Sequence, residues 1–235
     1  MYKETGVSNM EKRKTKIKLC GMRTVEDIEA VNSCRPDFAG IICTDGFRRY
    51  IPWQEALVLK EKLDPSISCV GVFVNETYEY IETYLKRGII DVVQLHGDES
   101  NYYIEQLRKV MQYQGTVAPV IKAFAVRSRE DIEAASQSKA DYILLDNGTG
   151  SGETFDWSLL EDVGRKFFLA GGLGPDNVAA AVEQLQPFAV DMSSRIETDF
   201  KKDPVKMHQA VEAVRNLQKT GDCIGQTETG ALCFS

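Results

Sequence analysis

From about Lys16 to about Gln218, short runs rich in apolar and β-branched residues alternate with stretches in which apolar positions recur every three to four residues. The first pattern predicts strands, the second amphipathic helices, and their alternation predicts βαβ units on a parallel sheet. Strands are expected at Lys16–Cys20, Phe38–Cys43, Ser68–Val74, Asp91–His96, Ala118–Val126, Asp141–Asp146, Phe167–Gly172 and Phe188–Ser194. A helix is expected after each, at Thr24–Ser33, Pro52–Lys62, Thr77–Arg87, Ser100–Tyr113, Glu130–Gln137, Trp157–Val163, Asp176–Gln184 and Pro204–Gln218. Thr24, Ser100 and, directly after Pro175, Asp176 each offer a side-chain oxygen to the orphan amides of a helix start.

Eight such units in roughly 200 residues match a single-domain (β/α)8 or TIM barrel over residues 16–218 and leave no room for a second domain. Residues 1–15 are a polar extension, with Met10 a conceivable alternative start, and residues 219–235 carry Gly, Thr and Ser without periodicity, the composition of a disordered tail. An open doubly wound sheet is the competing architecture. Against it, Leu19-Cys20-Gly21-Met22-Arg23 lacks the second and third glycines of a dinucleotide-binding turn.

Composition narrows the function classes. At 43% hydrophobic and 27% charged the 235 residues are ordinary globular material, and a net charge of -7 argues against nucleic-acid or anionic-membrane partners. Any anion site must be built locally. No run approaches the roughly 20 apolar residues of a membrane span, and the segment before Lys16 lacks the apolar centre of a secretory signal, which makes the cytoplasm the expected location. The six cysteines, at 20, 34, 43, 69, 223 and 233, form no CxxC pair; they are expected to be reduced, and five of them to be inert. With only His96 and His208, and no EF-hand spacing of carboxylates, the chemistry is expected to need neither metal nor cofactor. Nothing in the sequence requires more than a monomer.

A closed parallel barrel brings the carboxyl ends of all its strands to one face, so the polar residues there are the functional candidates. Gly171-Gly172 after strand seven and Ser193-Ser194 after strand eight suit a phosphate, since the loops after these strands of such barrels frequently bind one and glycine lets backbone amides approach it closely. The expected partner is therefore a small phosphorylated molecule; a tight βα turn is the plainer reading of the glycines taken alone. Asp146 ends the apolar run Tyr142 to Leu145, where desolvation would raise its pKa toward general-acid use, although an Asp before Asn147-Gly148 is also a common turn cap. The glycine-rich segment from Asn147 to Phe155 is longer than a tight connection needs and reads as a cover over the site. Cys20 lies on the same rim and becomes a base where a cation or helix terminus favours its thiolate. Arg49 suits a carboxylate or phosphate, or is a solvated loop residue. His96 contacts substrate or is structural, and Lys122 pairs with a carboxylate inside the barrel, lies near the pocket as an electrostatic helper, or is a Schiff-base amine.

Six segments, Lys18-Leu19-Cys20-Gly21-Met22, Gly71 to Asn75, Asp91 to Glu99 with its Gln-Leu-His-Gly-Asp-Glu run, Leu145-Asp146 with Gly152 to Trp157, Leu169 to Leu173, and Asp191 to Ser194, closely resemble phosphoribosylanthranilate isomerases, in order along the chain. The resemblance implies an Amadori rearrangement of N-(5-phosphoribosyl)anthranilate in tryptophan biosynthesis. It further implies Asp146 as general acid at the ribose ring oxygen, Cys20 as the base that takes the C2 proton, and Arg49 on the anthranilate carboxylate. The phosphate would lie on the amides of Gly171, Gly172, Ser193 and Ser194. One departure stands out: where the family pattern has Ser-Ser-Gly-Val-Glu, this chain has Ser193-Ser194-Arg195-Ile196-Glu197. Arg195 is thus either a strained substitution for a glycine or an added contact to the phosphate.

Overall fold

The computed structural model describes residues 14–147, 157–160 and 163–224, with side chains up to residue 217. Eight parallel strands, β1 (Lys16–Cys20), β2 (Phe38–Ile42), β3 (Ser68–Phe73), β4 (Val92–Leu95), β5 (Val120–Ala125), β6 (Tyr142–Asp146), β7 (Phe167–Leu169) and β8 (Ala189–Met192), follow one another around a closed barrel in which β1 also pairs with β8. The helices are α1 (Val25–Cys34), α2 (Trp53–Lys62), α3 (Tyr78–Lys86), α4 (Asn101–Gln114), α5 (Arg129–Ser136), α6 (Val178–Leu185) and α7 (Pro204–Ile224). A short antiparallel hairpin, β9 (Glu197–Thr198) with β10 (Lys201–Lys202), lies between β8 and α7. Among the described residues no helix is long and apolar enough to cross a membrane.

Because side chains alternate along a strand, each strand packs one set outward under the helices and one set into the barrel. The outward set, including Ile17, Leu19, Ile41, Val93, Val120, Ile143, Leu145 and Leu169, joins Ile28, Val31, Leu107 and Val178 of the helices in one large buried cluster. The inward set forms a second cluster of Val70, Val92, Ile121, Ala123, Leu144, Phe168, Ala170 and Ala189, packed below against Phe38, Tyr142 and Phe188. Tyr142 and Phe188 stack at 4.7 Å. This plug fills the lower barrel and leaves polar side chains to the carboxyl end.

Local chemistry sets most element starts. Thr24 takes the Asp27 amide at 3.2 Å and Asp27 returns a carboxylate to the Thr24 amide, a capping box, and Ser100 takes the Tyr103 amide at 3.3 Å. Three expectations need correction. Asp176 does not cap α6: the cap position is Asn177, whose side chain takes the Gly174 amide and donates to the Gly172 carbonyl, both at 2.8 Å, so it braces the preceding turn instead. The helix expected at Trp157–Val163 is a single 3-10 turn at Trp157–Leu160 in the described residues. The last helix runs on to Ile224, past the expected end at Gln218. The expected cover loop lies outside the described residues from 148 to 156.

Candidate active site

A cavity of about 360 Å³ opens at the carboxyl end of the barrel. Its wall includes Cys20, Arg49, His96, Asp146, Gly171, Gly172, Ser193 and Ser194, so eight of the nine candidates meet in one place. Asp191 and Gln94 complete its floor. Arg195 is the exception. Its guanidinium turns to Asp176, with Nη2 at 2.5 Å from Oδ2, and ties the loop after β8 to the loop after β7 outside the cavity lining. It keeps a negative φ within a 3-10 turn, so the strain expected of a glycine replacement does not arise there.

Register explains how the remaining groups reach the cavity. Cys20 is the last residue of β1 and faces inward, paired in register with Gly40 of β2. A Cβ on Gly40 would lie 2.6 Å from the Cys20 sulfur, so glycine there makes the room the thiol occupies. Asp146 ends β6 on the inner face shared with Tyr142 and Leu144. Gly171, at φ +86°, passes so close that a Cβ on it would lie 3.0 Å from Asp146 Oδ1. The thiol and the carboxyl thus come from non-adjacent strands and line the same space.

The electrostatics around Cys20 are opposed. Burial pushes its thiol above the ordinary value; Lys18 and Lys202 pull toward the thiolate, and Asp191 adds to the upward push. Lys18, two residues earlier on β1, is wholly buried and pairs in register with Asp191, Nζ to Oδ2 at 2.7 Å. Burial works against its charge, but Asp191 and Cys20 outweigh burial and hold the ammonium above its usual range. His96 sits at the mouth with Nδ1 3.1 Å from Gln94 Nε2; the surrounding protein holds its imidazole below the ordinary value against the pull of Asp146.

Arg49 lies over Gly21, whose φ of +85° and missing Cβ admit the Arg49 stem, since a Cβ would come within 2.5 Å of its Cδ. Its fork grips Glu197, Nε to Oε1 at 2.6 Å and Nη2 to Oε2 at 2.9 Å. Arg48 and Lys202 bind the same carboxylate, each at 2.9 Å. One edge of the Arg49 fork is thereby spent on positioning; the Nη1 edge is not used by Glu197. Lys122 belongs elsewhere. Its neighbours Ile121 and Ala123 are the ones that face the barrel interior, so alternation turns it outward, where it binds the Gly97 and Ala123 carbonyls at 2.7 and 2.9 Å and Glu99 at 3.3 Å. The expected carboxylate partner is present, outside the barrel interior, and an amine so engaged as a donor is a brace for the loop after β4.

Sequence reasoning passed over Lys18, Gly40, Asp191 and Glu197 as site residues. For Lys18 a signal existed: a lysine two positions before Cys20 on a strand must share its face. For Glu197 the family pattern ending in Glu marked the position, but not its partner Arg49, which is 148 positions away.

The model of the N-(5'-phosphoribosyl)anthranilate isomerase family matches residues 17–213. The chain belongs to that family. Among curated members it is 41% identical to the isomerase of Endomicrobium trichonymphae, over 86% of this chain and 99% of the relative, and 39% identical to that of Acetivibrio thermocellus, over 86% and 96%. Among solved structures it is similar to the isomerase of Thermotoga maritima, at 33% identity and a TM-score of 0.77 over 86% of this chain and 99% of that one. A further family structure, at 34% identity and a TM-score of 0.75 over 86% and 99%, is a complex with reduced 1-(o-carboxyphenylamino)-1-deoxyribulose 5-phosphate.

Proposed function

We propose that this family member opens and rearranges N-(5'-phosphoribosyl)anthranilate to the carboxyphenylamino-deoxyribulose phosphate of tryptophan biosynthesis, with Asp146 as acid and Cys20 as base. The observation that carries these roles is the meeting of one carboxyl and one thiol on the wall of a single cavity that Gly171, Gly172, Ser193 and Ser194 also line. Asp146 gives a proton to the ribose ring oxygen, and the ring opens to a protonated Schiff base. The Cys20 thiolate then takes the C2 proton, electrons move toward the iminium nitrogen, and an enolamine results that tautomerises to the ketone. The free edge of Arg49 takes the anthranilate carboxylate, which the other edge, fixed by Glu197, holds in plane. The phosphate rests against the two glycines and the two serines, in a turn braced by Asn177.

The test follows loss of substrate fluorescence with purified wild-type protein, Cys20→Ala and Asp146→Asn. Turnover by the wild type and a fall of about 10²- to 10⁴-fold in kcat for each variant is expected. Wild-type kcat in either variant overturns its assigned role.

A further inference from the structure

We propose that Lys18 is a positioning residue that governs the charge on the Cys20 sulfur, favouring the thiolate from below the cavity floor while Asp191 fixes the ammonium in place. This rests on the reading of Cys20 as the base.

The geometry comes first. Lys18 and Cys20 stand two residues apart on the inner face of β1, and Lys18 is 0% exposed. Most other inward positions of the barrel are apolar, among them Val70, Val92, Ile121, Leu144 and Phe168. A buried ion pair is a costly way to fill such a position, and apolar residues of similar volume commonly serve stability as well or better. The pair is therefore poorly explained as packing. It is also lopsided: Asp191 Oδ2 takes the Lys18 ammonium at 2.7 Å, while Oδ1 is buried with no hydrogen-bond partner among the described residues. Lys18 is thus what holds the Asp191 side chain, and Asp191 what holds Lys18 under the sulfur.

The charges that face Cys20 are few. From its own strand comes Lys18, from β8 Asp191, and from the β10 hairpin Lys202, which is committed to Glu197 and to the Ser193 carbonyl, each at 2.9 Å. From β2 comes Gly40, without charge. Arg48, Arg49, His96 and Asp146 are the remaining charged or titratable groups of the cavity wall. Of the charges acting on the sulfur, Lys18 acts most strongly and in the direction of the thiolate, against burial. In this arrangement Lys18 keeps its own proton throughout. Its charge favours the thiolate over the thiol, and its pull weakens the moment Cys20 has taken the substrate proton.

The decisive measurement is the pH dependence of Cys20 alkylation by iodoacetamide, read by mass spectrometry of the Cys20 peptide, beside the pH profile of kcat/KM. Lys18→Met is expected to move both midpoints up by about one pH unit, and to lower kcat at neutral pH roughly tenfold while KM stays within about threefold. Asp191→Asn, which leaves the ammonium to the sulfur alone, moves the alkylation midpoint down, and Lys18→Arg keeps it near that of the wild type. Should Lys18→Met fold poorly because Asp191 is left uncompensated, Lys18→Met/Asp191→Asn removes both charges and keeps the upward shift. An unmoved alkylation midpoint in a folded variant lacking Lys18 overturns the proposal. Cys20→Ala separates the two claims: if it keeps wild-type turnover, Cys20 is not the base, whereas the alkylation titration decides the role of Lys18 in either case.

Discussion

Glu197→Gln removes the one carboxylate around which Arg48, Arg49 and Lys202 gather. Burial alone would raise the Glu197 pKa, but hydrogen bonds from Arg49, Lys202 and Arg48 outweigh it and hold it at about 2, against 4.5 for an ordinary glutamate. Its side chain is 6% exposed, so solvent screens little of this. A depression of that size corresponds to about 3 kcal/mol of folding free energy, present above the unfolded-state pKa and lost as pH falls through the folded one. Roughly 2 of those 3 kcal/mol are therefore gone by pH 3. Urea unfolding followed by the fluorescence of Trp53 and Trp157 measures this directly, and the difference between wild type and variant cancels the titration of every other carboxylate. The variant should be less stable by about 3 kcal/mol at pH 7 and by only about 1 at pH 3. Its KM should rise more than its kcat falls, because Arg49 loses the partner that aims it. A stability difference below about 1 kcal/mol at pH 7, or one of equal size at both pH values, would refute the assignment of Glu197 as the hub of this cluster.

Two further outcomes follow from close contacts. Gly40→Ala should leave the barrel folded but displace the Cys20 sulfur, with which its Cβ would collide at 2.6 Å, and lower kcat by at least about a hundredfold; a kcat within threefold of wild type sinks the claim that this glycine makes the thiol's room. Arg195→Gly breaks an exposed ion pair with Asp176 and should change stability by less than about 1 kcal/mol. Its KM should rise, by no more than the roughly fivefold that such an energy allows, as the loops after β7 and β8 loosen; a fall in KM would mean that Arg195 is strained after all.

What the sequence made legible and what it hid divide along the range of the interactions involved. The strands were readable because each presents alternating residues to two apolar clusters, and the α1 and α4 starts because Thr24 and Ser100 act within three residues of themselves. Cys20, Asp146 and the glycine and serine pairs were readable because a closed barrel converts the last residue of any strand into a rim residue, whatever the distance along the chain. The errors have the opposite character. Asp176 had the right chemistry for a cap, but Asn177 could satisfy Gly172 and Gly174 together, and Asp176 was left for Arg195, a residue 19 positions away. The expected sixth helix had a periodic pattern and formed only a 3-10 turn in its described part.

Arg49 shows why a site needs more than its rim. The sequence presents an arginine in an Arg-Arg-Tyr run, chemically suited to a carboxylate and just as suited to solvent. What separates the two fates is a carboxylate supplied from 148 positions further along the chain, together with a glycine at position 21 that lets the arginine stem lie flat. Glu197 takes one edge of the fork and holds the guanidinium on the cavity wall, where a solvated arginine would not be fixed. The same division of labour holds beneath Cys20, where Asp191 from β8 holds Lys18 and Lys18 acts on the sulfur. In both places the rim residue is legible from its own strand or loop, while a carboxylate that orders its surroundings arrives from β8 or the hairpin that follows. Closing the barrel of β1 against β8 is therefore what assembles the chemistry, and variants that weaken that seam should lose kcat before they lose the fold.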